Sequence, residues 1–413
     1  MKLQKIFLSS AVAGLLAGLT ACSSDSDSTG STNNTRYTTG AITAFGSVYV
    51  NSTKYNTDNA TVYIEDSIAS ESDLRVGMMV TIKESSPGMA DTLYHDDDVE
   101  GIVLSTDLIG GTGTLNVMGQ TVTVDAKTIF ESYVTGVTSV AGIEAGHIVE
   151  VTGSSSGNGS VMATRLELKA VDLDSYLIDH PEGMEVKGIV SAHTDTNTIK
   201  TFDIGALTID YTNAVLDDMP AGNWDGLYVE AKSDEALNNS GHMLAYKVEL
   251  ENDGSKGHHD DDSEVEVKGE VTEFTSDSIT VNGVTYLLNE NTRYEHGTFA
   301  DLTVGALVEV EGYPNNNGDL VAEEVEFEDY DSEMEIQGTV SAVNAGDANE
   351  GTIEINGTTF HINSSTIMED SSDAHLTHFN LSYVGVGDLI KVYYFDDNGT
   401  LTVTKLERET AAI

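Results

Sequence analysis

Histidines and carboxylates stand side by side at one place in the chain, where their side chains could bind a metal ion. The run consists of His258, His259, Asp260, Asp261 and Asp262. Imidazoles next to carboxylates suit zinc, nickel or copper, whereas carboxylates alone suit calcium. Consecutive side chains of an extended segment point apart, however, and no second cluster with obvious ligand spacing accompanies the run. The run is therefore a candidate calcium or zinc site, and the competing interpretation is a solvated acidic hinge whose histidines are incidental.

Catalytic motifs give no comparable signal. None of the 11 histidines lies in a His-Glu-x-x-His pattern, and a phosphate-binding Gly-x-x-x-x-Gly-Lys loop is absent from the sequence. Two of the many carboxylates could flank a sugar bond by chance, but the sequence selects no pair. The sole tryptophan, Trp224, could serve as a platform for a sugar or as a packing residue, and packing is the more common use. We therefore predict no catalytic residue, no cofactor and no enzymatic activity.

The net charge narrows the range of partners. Lys and Arg number 19 against 69 Asp and Glu, which gives a formal net charge of −50. Nucleic acid is a poor partner, since affinity for phosphate depends on Lys and Arg that displace counterions. An anionic membrane surface would repel the protein as well. Divalent cations or a basic protein are better candidates, and the simplest interpretation is an acidic surface that keeps an exported protein soluble.

The first residues predict export and lipidation. Two lysines precede an apolar run, 6–19, that is too short to span a membrane as a helix. The run leads into Leu-Thr-Ala-Cys22, which resembles the lipobox of bacterial lipoproteins. The resemblance implies a signal peptide at 1–21, cleavage before Cys22 and acylation of that cysteine. The alternative is an ordinary secretory signal followed by an incidental cysteine.

The residues after the predicted cleavage site refine the location. Ser23 stands where many lipoproteins kept at the inner membrane have Asp, so the resemblance implies the outer membrane of a Gram-negative bacterium, with the protein facing the periplasm or the exterior. Residues 22–37 contain few large apolar side chains and are typical of a flexible tether. Because Cys22 is the only cysteine, no disulfide can stabilise the folded units, and packing must do so.

Alternating apolar and polar residues predict β-strands along most of the remaining chain. In the clearest stretch, 264–329, Val265, Val267 and Val271 alternate with polar residues, and an Asn-Gly pair indicates a tight turn. The first strand of this stretch contains a glycine that recurs along the chain as Gly40, Gly101, Gly188, Gly269 and Gly338. Without a side chain, such a glycine lets one strand bend sharply and join both halves of a small closed barrel.

These landmarks predict five β modules, which we call segments 1 to 5: residues 38–98, 99–178, 183–253, 264–329 and 333–410. Each would contain three strands, a span long enough for one short helix, and two more strands, which is the order of an OB-like barrel. A curved open sheet or a small sandwich is the alternative, and a propeller fits less well because its blades need no helical interruption. The predicted fold is therefore all-β: a tandem array of five small OB-like barrels, joined by acidic linkers, after a lipoprotein signal peptide.

The joints between the segments carry runs of acidic residues. The first, Tyr94-His95-Asp96-Asp97-Asp98, is also a weaker version of the metal-binding run. Like charges repel and extend a linker, which favours freedom between the segments. A unit of roughly 70 residues buries only about 60% of its unfolded surface, however, so contact between neighbours would stabilise it.

Several stretches resemble a known family. They are Phe45–Asn51 in segment 1, together with Val281–Val284 and Val308–Gly312 in segment 4. With the lipobox, they are similar to the bacterial lipoprotein family built from domain of unknown function 5666. Segments 2 and 3 depart from its pattern, because Met118-Gly and Ile204-Gly replace the Asn-Gly pair. The resemblance implies an exported, β-rich repeat protein and brings no assigned activity, catalytic residue or cofactor.

Three functional hypotheses follow from these observations. The first is a non-enzymatic lipoprotein, anchored in the outer membrane through Cys22, that scaffolds or binds an envelope protein or polysaccharide. The second is an envelope protein that binds divalent cations or a metal through its acidic and histidine-containing joints. The third is a hydrolase of envelope polysaccharide, which would require a deep pocket with two carboxylates.

Overall fold

The computed structural model describes residues 36–410 apart from 66, 156–157, 197, 252–264, 282–283, 316–318, 328–332, 347–348 and 398. Within these ranges the chain is almost entirely β-structure, with one α-helix. No helix in this part of the chain has the length and hydropathy needed to cross a membrane. The predicted signal peptide, almost all of the tether and the joint between segments 3 and 4 lie outside the described residues.

Segments 1 and 2 are each a series of mostly short strands. Segment 1 contains β1 (Arg36–Phe45), β2 (Val48–Val50), β3 (Thr53–Tyr55), β4 (Thr61–Ile64), β5 (Ser67–Ala69), β6 (Met79–Ser86) and β7 (Met89–His95). Segment 2 contains β8 (Val99–Ile109), β9 (Thr112–Val117), β10 (Gln120–Val124), β11 (Ile129–Ser132), β12 (Ile148–Ser155) and β13 (Ser160–Ala170), and its last residues begin α1 (Leu173–Asp179).

The other three segments repeat this series. Segment 3 contains β14 (Met184–Asp195), β15 (Lys200–Ile204), β16 (Leu207–Asp210), β17 (Val215–Asp217), β18 (Tyr228–Ser233), β19 (Met243–Leu244) and β20 (Lys247–Leu250). Segment 4 contains β21 (Val265–Phe274), β22 (Ser278–Val281), β23 (Val284–Leu287), β24 (Arg293–Glu295), β25 (Leu307–Pro314) and β26 (Leu320–Phe327). Segment 5 contains β27 (Met334–Ala345), β28 (Gly351–Ile355), β29 (Thr358–Ile362), β30 (Ile367–Asp370), β31 (Leu389–Asp397) and β32 (Thr400–Glu409).

The strands of segment 4 close into a small barrel. β21 pairs antiparallel with both β22 and β25, β22 pairs with β23, β23 runs parallel to β26, and β26 pairs with β25. Apolar residues at alternate positions, among them Val267, Val281 and Val310, fill the interior. The first strand therefore joins both halves of the barrel, as the glycine pattern predicts.

The same pairings recur along the chain. The first strands β1, β8, β14 and β27 each pair with the next strand and with the strand that follows the long interruption. Parallel pairing near the end of each series closes the ring, through a bridge from Asn56 to Met89, through β10–β13, through β16–β19 and through β29–β32. The protein is thus built of small β-barrels.

The first-strand glycines provide space for a hairpin turn. Gly40, Gly101 and Gly338 lie under the turn that joins the second and third strands, where Asn51, Met118 and Asn356 have φ values of 46°, 45° and 54°. A Cβ atom on Gly40 would lie 2.0 Å from Asn51 Oδ1, and one on Gly338 would lie 2.5 Å from a methyl group of Ile355. The missing side chain therefore lets the turn fold back over the strand. In segment 5 this packing brings Gly338 together with the Asn356-Gly357 turn.

Replacement of Gly338 by alanine tests this packing. We expect Gly338→Ala to destabilise segment 5 by about 1–3 kcal/mol, the typical effect of an added group in a well-packed site. Far-UV circular dichroism melts and limited proteolysis of segment 5 provide the measurement. Gly385→Ala is the matched control in the same segment, because its Cβ would meet nothing closer than Asp388 Oδ2 at 3.8 Å. Equal stabilities of the two variants would contradict the packing role.

The interruption before the fourth long strand differs from the predicted short helix. Single 3₁₀ turns occupy it at Glu71–Asp73, Val140–Gly142, Phe299–Asp301 and Leu381–Tyr383. No helix is described there in segment 3, and the one α-helix of the described residues instead follows the last strand of segment 2. A further short strand, which the sequence did not predict, runs parallel to the last strand of each series; these strands are β4, β11, β17, β24 and β30.

A repeated Asp/Asn-x-x-Thr motif positions three of these extra strands. Thr128 donates a hydrogen bond from its hydroxyl to the carbonyl of Ala163 at 2.8 Å, and Asp125 accepts from the Thr128 backbone at 3.0 Å. Equivalent hydroxyl bonds run from Thr292 to Ala322 and from Thr366 to Val403. The buried hydroxyl fixes the chain against the last strand just before the extra strand begins.

The segments share sheets. The first half of each first strand has a partner on only one side within its own barrel, so one backbone edge stays open. β1 pairs this edge with β21 in parallel, and β8 pairs it with β14 in antiparallel orientation. Segments 2 and 3 accordingly share one hydrophobic cluster, Tyr37 contributes to that of segment 4, and Ala44 and Tyr49 contribute to that of segment 5.

The first joint corrects the prediction of extended acidic linkers. His95 is 2% exposed and Asp97 is 7% exposed, whereas the side chain of Asp96 between them is 40% exposed, so most of this joint is buried between segments. Like charges do not extend it, because side chains of segment 3 cover and partly neutralise it. Among the other joints, residues 252–264 and 328–332 lie outside the described residues.

Candidate functional site

The predicted metal-binding run lies outside the described residues, as does Cys22. The candidate site at His258, His259, Asp260, Asp261 and Asp262 and the lipidation of Cys22 therefore stay predictions. Within the described part of the chain, three groups of carboxylates have oxygen atoms within 4.8 Å of one another: Glu65, Glu185 and Glu230; Glu230, Glu249 and Glu251; and Glu266, Glu309 and Glu311.

A lysine lies among the carboxylates of the first group. We call this set the ionic junction; it consists of Lys187 in β14 with Glu65, Asp96, Glu185 and Glu230. The Lys187 Nζ atom lies 3.0 Å from Glu65, 3.6 Å from Asp96, 4.0 Å from Glu185 and 3.5 Å from Glu230. Its side chain is only 7% exposed. An ammonium group thus provides the positive charge that a metal ion would otherwise supply.

The pKa values of the residues in the ionic junction reflect both their burial and the charge of Lys187. Burial opposes the charge on Lys187, yet the surrounding carboxylates hold its pKa well above the usual value. Burial also raises the pKa of Glu65, but the charge of Lys187 and the backbone N–H of Asp97 outweigh it and lower that pKa. Burial raises the pKa of Glu185 to about 7, and the nearby charge of Glu65 adds to the effect. Glu185 lies farther from Lys187 than Glu65 does, 4.0 Å against 3.0 Å, so the charge of Lys187 lowers its pKa less.

The acidic joint between segments 1 and 2 is part of the same structure. The backbone N–H of Asp97 donates to Glu65 at 2.7 Å, and one oxygen of Asp97 lies 3.6 Å from His95 Nε2. His95 Nδ1 lies 2.8 Å from the carbonyl oxygen of Met79. Burial lowers the pKa of His95 and raises that of Asp97 well above its usual value. These contacts assign the joint a structural role and do not form a metal site.

A second buried ionic cluster connects segment 2 with its neighbours. Arg165 in β13 binds Glu131 and Glu167, and its Nη1 donates to the carbonyl of Val76 in segment 1 at 3.1 Å. Glu131 also faces His375 of segment 5 at 3.4 Å. Arg165 thus links segment 2 to segment 1 through a buried contact, and Glu131 adds a more exposed contact with segment 5.

The sole tryptophan belongs to an aromatic cluster that closes the barrel of segment 3. Trp224 is 4% exposed, stacks on His193 with 4.4 Å between ring centres, and donates from Nε1 to the carbonyl of Pro220 at 2.8 Å. His193 Nε2 lies 2.7 Å from the hydroxyl of Tyr211. The loop that carries Trp224 occupies the place of the 3₁₀ turn in the other segments. Trp224 is therefore a packing residue, and not an exposed platform for a sugar.

A cavity of about 840 Å³ lies where segments 1, 2, 4 and 5 meet. Its lining combines apolar side chains such as Ile129 and Phe327 with charged ones that include Asp125, Lys127 and Glu270. Burial raises the pKa of Glu270, and the charge of Asp125 adds to the effect. The size suits a small ligand. The lining fixes no particular chemistry, because several of its polar groups serve turns or ion pairs within the protein.

Lys187 is the central residue of the ionic junction, and no pattern in the sequence singled it out. The alternation in β14 assigns it to the outer face of a barrel, opposite the apolar residues. In the structure the outer face of β14 meets segments 1 and 2, so both Lys187 and Glu185 are buried. The scarcity of basic residues, 19 against 69 acidic ones, could have indicated this role. With so few cations in the chain, a lysine in a first strand is a candidate partner for buried carboxylates.

Comparisons with known proteins match the repeated pattern. A family model described as "Domain of unknown function (DUF5666)" matches residues 39–85, 100–167, 268–326 and 337–407. The matched stretches do not include segment 3, where the loop of Trp224 replaces the 3₁₀ turn. No curated protein matches the sequence. Among solved structures, drosophila Unr CSD456 shares 12% identity over 54% of this chain and 95% of that chain, with a TM-score of 0.13.

Proposed function

The chain belongs to the family of domain of unknown function DUF5666, and on that basis we propose that it is a non-enzymatic lipoprotein of the cell envelope. Segments 1 to 5 are its five OB-like modules, preceded by a signal peptide at 1–21 and a tether at 22–37. A lipid on Cys22 anchors it in the outer membrane of a Gram-negative bacterium. The modules act as a scaffold that binds an envelope protein or polysaccharide.

The observation that carries this proposal is that charged side chains pair with one another between the segments, within the protein. Lys187 of segment 3 lies close to two carboxylates of segment 1, and Glu266 of another carboxylate group accepts a hydrogen bond from Asn51 Nδ2 of segment 1 at 3.2 Å. Groups that could perform acid–base chemistry or hold metals instead join one barrel to the next. This use of charge supports an architectural role and gives the modules a fixed arrangement in which to present their surfaces.

A repeated turn supports a binding role for those surfaces. The turn before the fourth long strand of segment 1 packs on segment 2: the Thr164 hydroxyl donates to the carbonyl of Gly77 at 2.6 Å, and Val76 is 5% exposed. The equivalent residues Val304 and Val386 are 67% and 71% exposed. The same kind of turn that docks inside the chain is thus presented to solvent in segments 4 and 5, where it can contact another molecule.

Photo-crosslinking in intact cells tests the scaffold function. A crosslinking amino acid at Val304 or Val386 is expected to capture an envelope component of defined mass, because these turns face outward. The same amino acid at Ile109, which is 83% exposed at the tip of a hairpin, is the matched control for exposure alone. Absence of adducts at both turns, or an identical set of adducts at Ile109, would reject the proposal.

Substitution of Cys22 tests the anchor separately. Cys22→Ala is expected to abolish incorporation of labelled fatty acid and to move the protein from the membrane fraction to the soluble fraction, because acyl chains provide the membrane affinity. Ser23→Ala is the control and is expected to retain the lipid. If Cys22→Ala remained in the membrane fraction, the proposed lipid anchor would be contradicted. The crosslinking experiment would still test the scaffold function, because it does not depend on Cys22.

A further inference from the structure

The open backbone edge of the first strand has a partner in segments 1 to 4. In segments 2 and 3, Val99 of β8 lies opposite Val186 of β14, and Glu100 lies opposite Glu185. In segments 1 and 4, residues 37–39 of β1 pair with 265–267 of β21. The chain therefore uses one type of contact twice: the first half of a first strand pairs with the equivalent half of another.

The equivalent edge of segment 5 has no such partner. Within the described residues, β27 pairs with β31 on one side and, from Val340 onward, with β28, so the other side of its first half is unpaired. The exposure of the side chains agrees. Met184 and Val265, four residues before the glycines of β14 and β21, are 0% exposed, whereas the equivalent Met334 of β27 is 39% exposed. Segment 1 pairs with segment 4 and segment 2 with segment 3, so the edge of the first strand of segment 5 is left without a partner strand within the described residues.

The contact between β8 and β14 is nearly twofold symmetric. Val99 and Val186 stand opposite each other, and each lies two residues before the glycine of its strand. The N–H of Lys187, one residue before its glycine, donates to the carbonyl of Asp98, three residues before the glycine of β8, at 3.1 Å. Two identical strands could form the same contact about a true twofold axis, which requires antiparallel pairing.

We propose that the free edge of β27 pairs with the same edge of a second copy of this chain and forms an antiparallel, twofold-symmetric dimer. By equivalence with Val99 and Val186, Ile336 lies at the twofold axis. Glu335 of each copy then stands opposite Gln337 of the other. This register avoids the pairing of like charges that Glu100 and Glu185 make within the chain. It is independent of lipidation and of any envelope partner.

The proposal predicts which backbone groups form the dimer. The N–H of Lys187 faces the neighbouring barrel, so by equivalence the N–H of Gln337 faces the free edge. Proline at this position removes that donor, and proline is tolerated on edge strands. Gln337→Ala is the matched control, because it loses the same side chain, including its hydrogen bond to Glu409, and keeps the N–H.

Sedimentation velocity of the mature chain, with Cys22→Ala to keep it in solution, provides the test. We expect a monomer–dimer equilibrium for this chain and for Gln337→Ala, and at least a tenfold weaker association for Gln337→Pro. Fluorescence of Trp224 checks that each variant remains folded. If Gln337→Pro unfolds, hydrogen exchange of the parent chain decides the question: protection of the Glu335 and Gln337 amides must rise with protein concentration. A monomer at all concentrations, a dimer insensitive to proline, or protection independent of concentration would overturn the proposal.

Discussion

Lys187→Met is expected to destabilise the protein by about 3 kcal/mol. The substitution removes the ammonium group that lies 3.0 Å from Glu65, so Glu65 loses its cation, whereas Glu185 and Glu230 keep only Lys232 as a counterion. Loss of one partner from a buried ion pair costs this much because the remaining charge is left uncompensated. Urea unfolding followed by the fluorescence of Trp224 provides the measurement, since both residues belong to segment 3.

Two further variants show whether the effect arises from the ionic junction. Lys200→Met removes an exposed lysine whose Nζ lies 3.5 Å from Asp195, and it should cost less than about 1 kcal/mol. Glu65→Gln combined with Lys187→Met should recover part of the lost stability, because one uncompensated charge is removed. Equal losses for the two lysine variants, or no recovery in the double variant, would show that Lys187 contributes through packing alone.

Stability is expected to fall as the pH rises from 5.5 to 8.5. Burial raises the pKa of Asp98, Glu150 and Glu185 to about 7 and that of Glu100 to about 8. Folding therefore binds protons at these carboxyls. Their contribution to stability is complete below about pH 4, the region of their unfolded pKa values, and is lost as the pH passes through 7 to 8. A single such group accounts for a loss of about 2 kcal/mol between pH 5.5 and 7.

Other groups act in the opposite direction or not at all in this range. Burial lowers the pKa of His95, so its contribution is complete above about pH 6.5 and is lost below it. Burial raises the pKa of Glu167, but Arg165 and Lys169 outweigh it and hold that pKa at about 2, so its contribution is constant from pH 5.5 to 8.5. The carboxyls that bind protons outnumber the one opposing histidine, which sets the sign of the expected change.

Thermal melts at several pH values test this expectation. Glu100→Gln should reduce the loss of melting temperature at pH 8.5, because an amide cannot ionise; Glu100 is surrounded by Glu150, Glu185, Lys169 and Tyr176. Glu290→Gln, at an exposed position, is the control and should leave the pH profile unchanged. A melting temperature that is constant or rises between pH 5.5 and 8.5 would contradict the assignment of these carboxyls as proton-binding groups.

The sequence predicted the elements of this fold better than their contacts. Alternation around Val265 and Val267 identifies a barrel strand and its inner face, because burial of that face is a local requirement. The same alternation cannot reveal that Lys187 on the outer face meets another segment, since the neighbour comes from distant parts of the chain. The loop of Trp224 shows the other limit: one aromatic ring can close a barrel in place of a 3₁₀ turn, without any periodic signal.

The candidate site follows the same division. The acidic runs are evident in the sequence, and the run at 94–98 is interpreted from it as an extended linker and as a weaker version of the metal-binding run. In the structure Asp97 is buried because its backbone N–H meets Glu65 and β14 covers the joint. Whether an acidic run is a linker or an interface depends on which barrel lies beside it, and that choice is made by the pairing of first strands.

The pairing of β1 with β21 also sets an order on folding. Residues 37–39 are among the first of the folded part to be synthesised, and their parallel partners at 265–267 are made only after segments 2 and 3. Until then, β1 presents three residues of unsatisfied backbone that can associate with the strands of other molecules. A nascent chain that stalls before residue 265 is therefore expected to aggregate unless a chaperone binds it. This holds even though all residues of its first barrels have been synthesised.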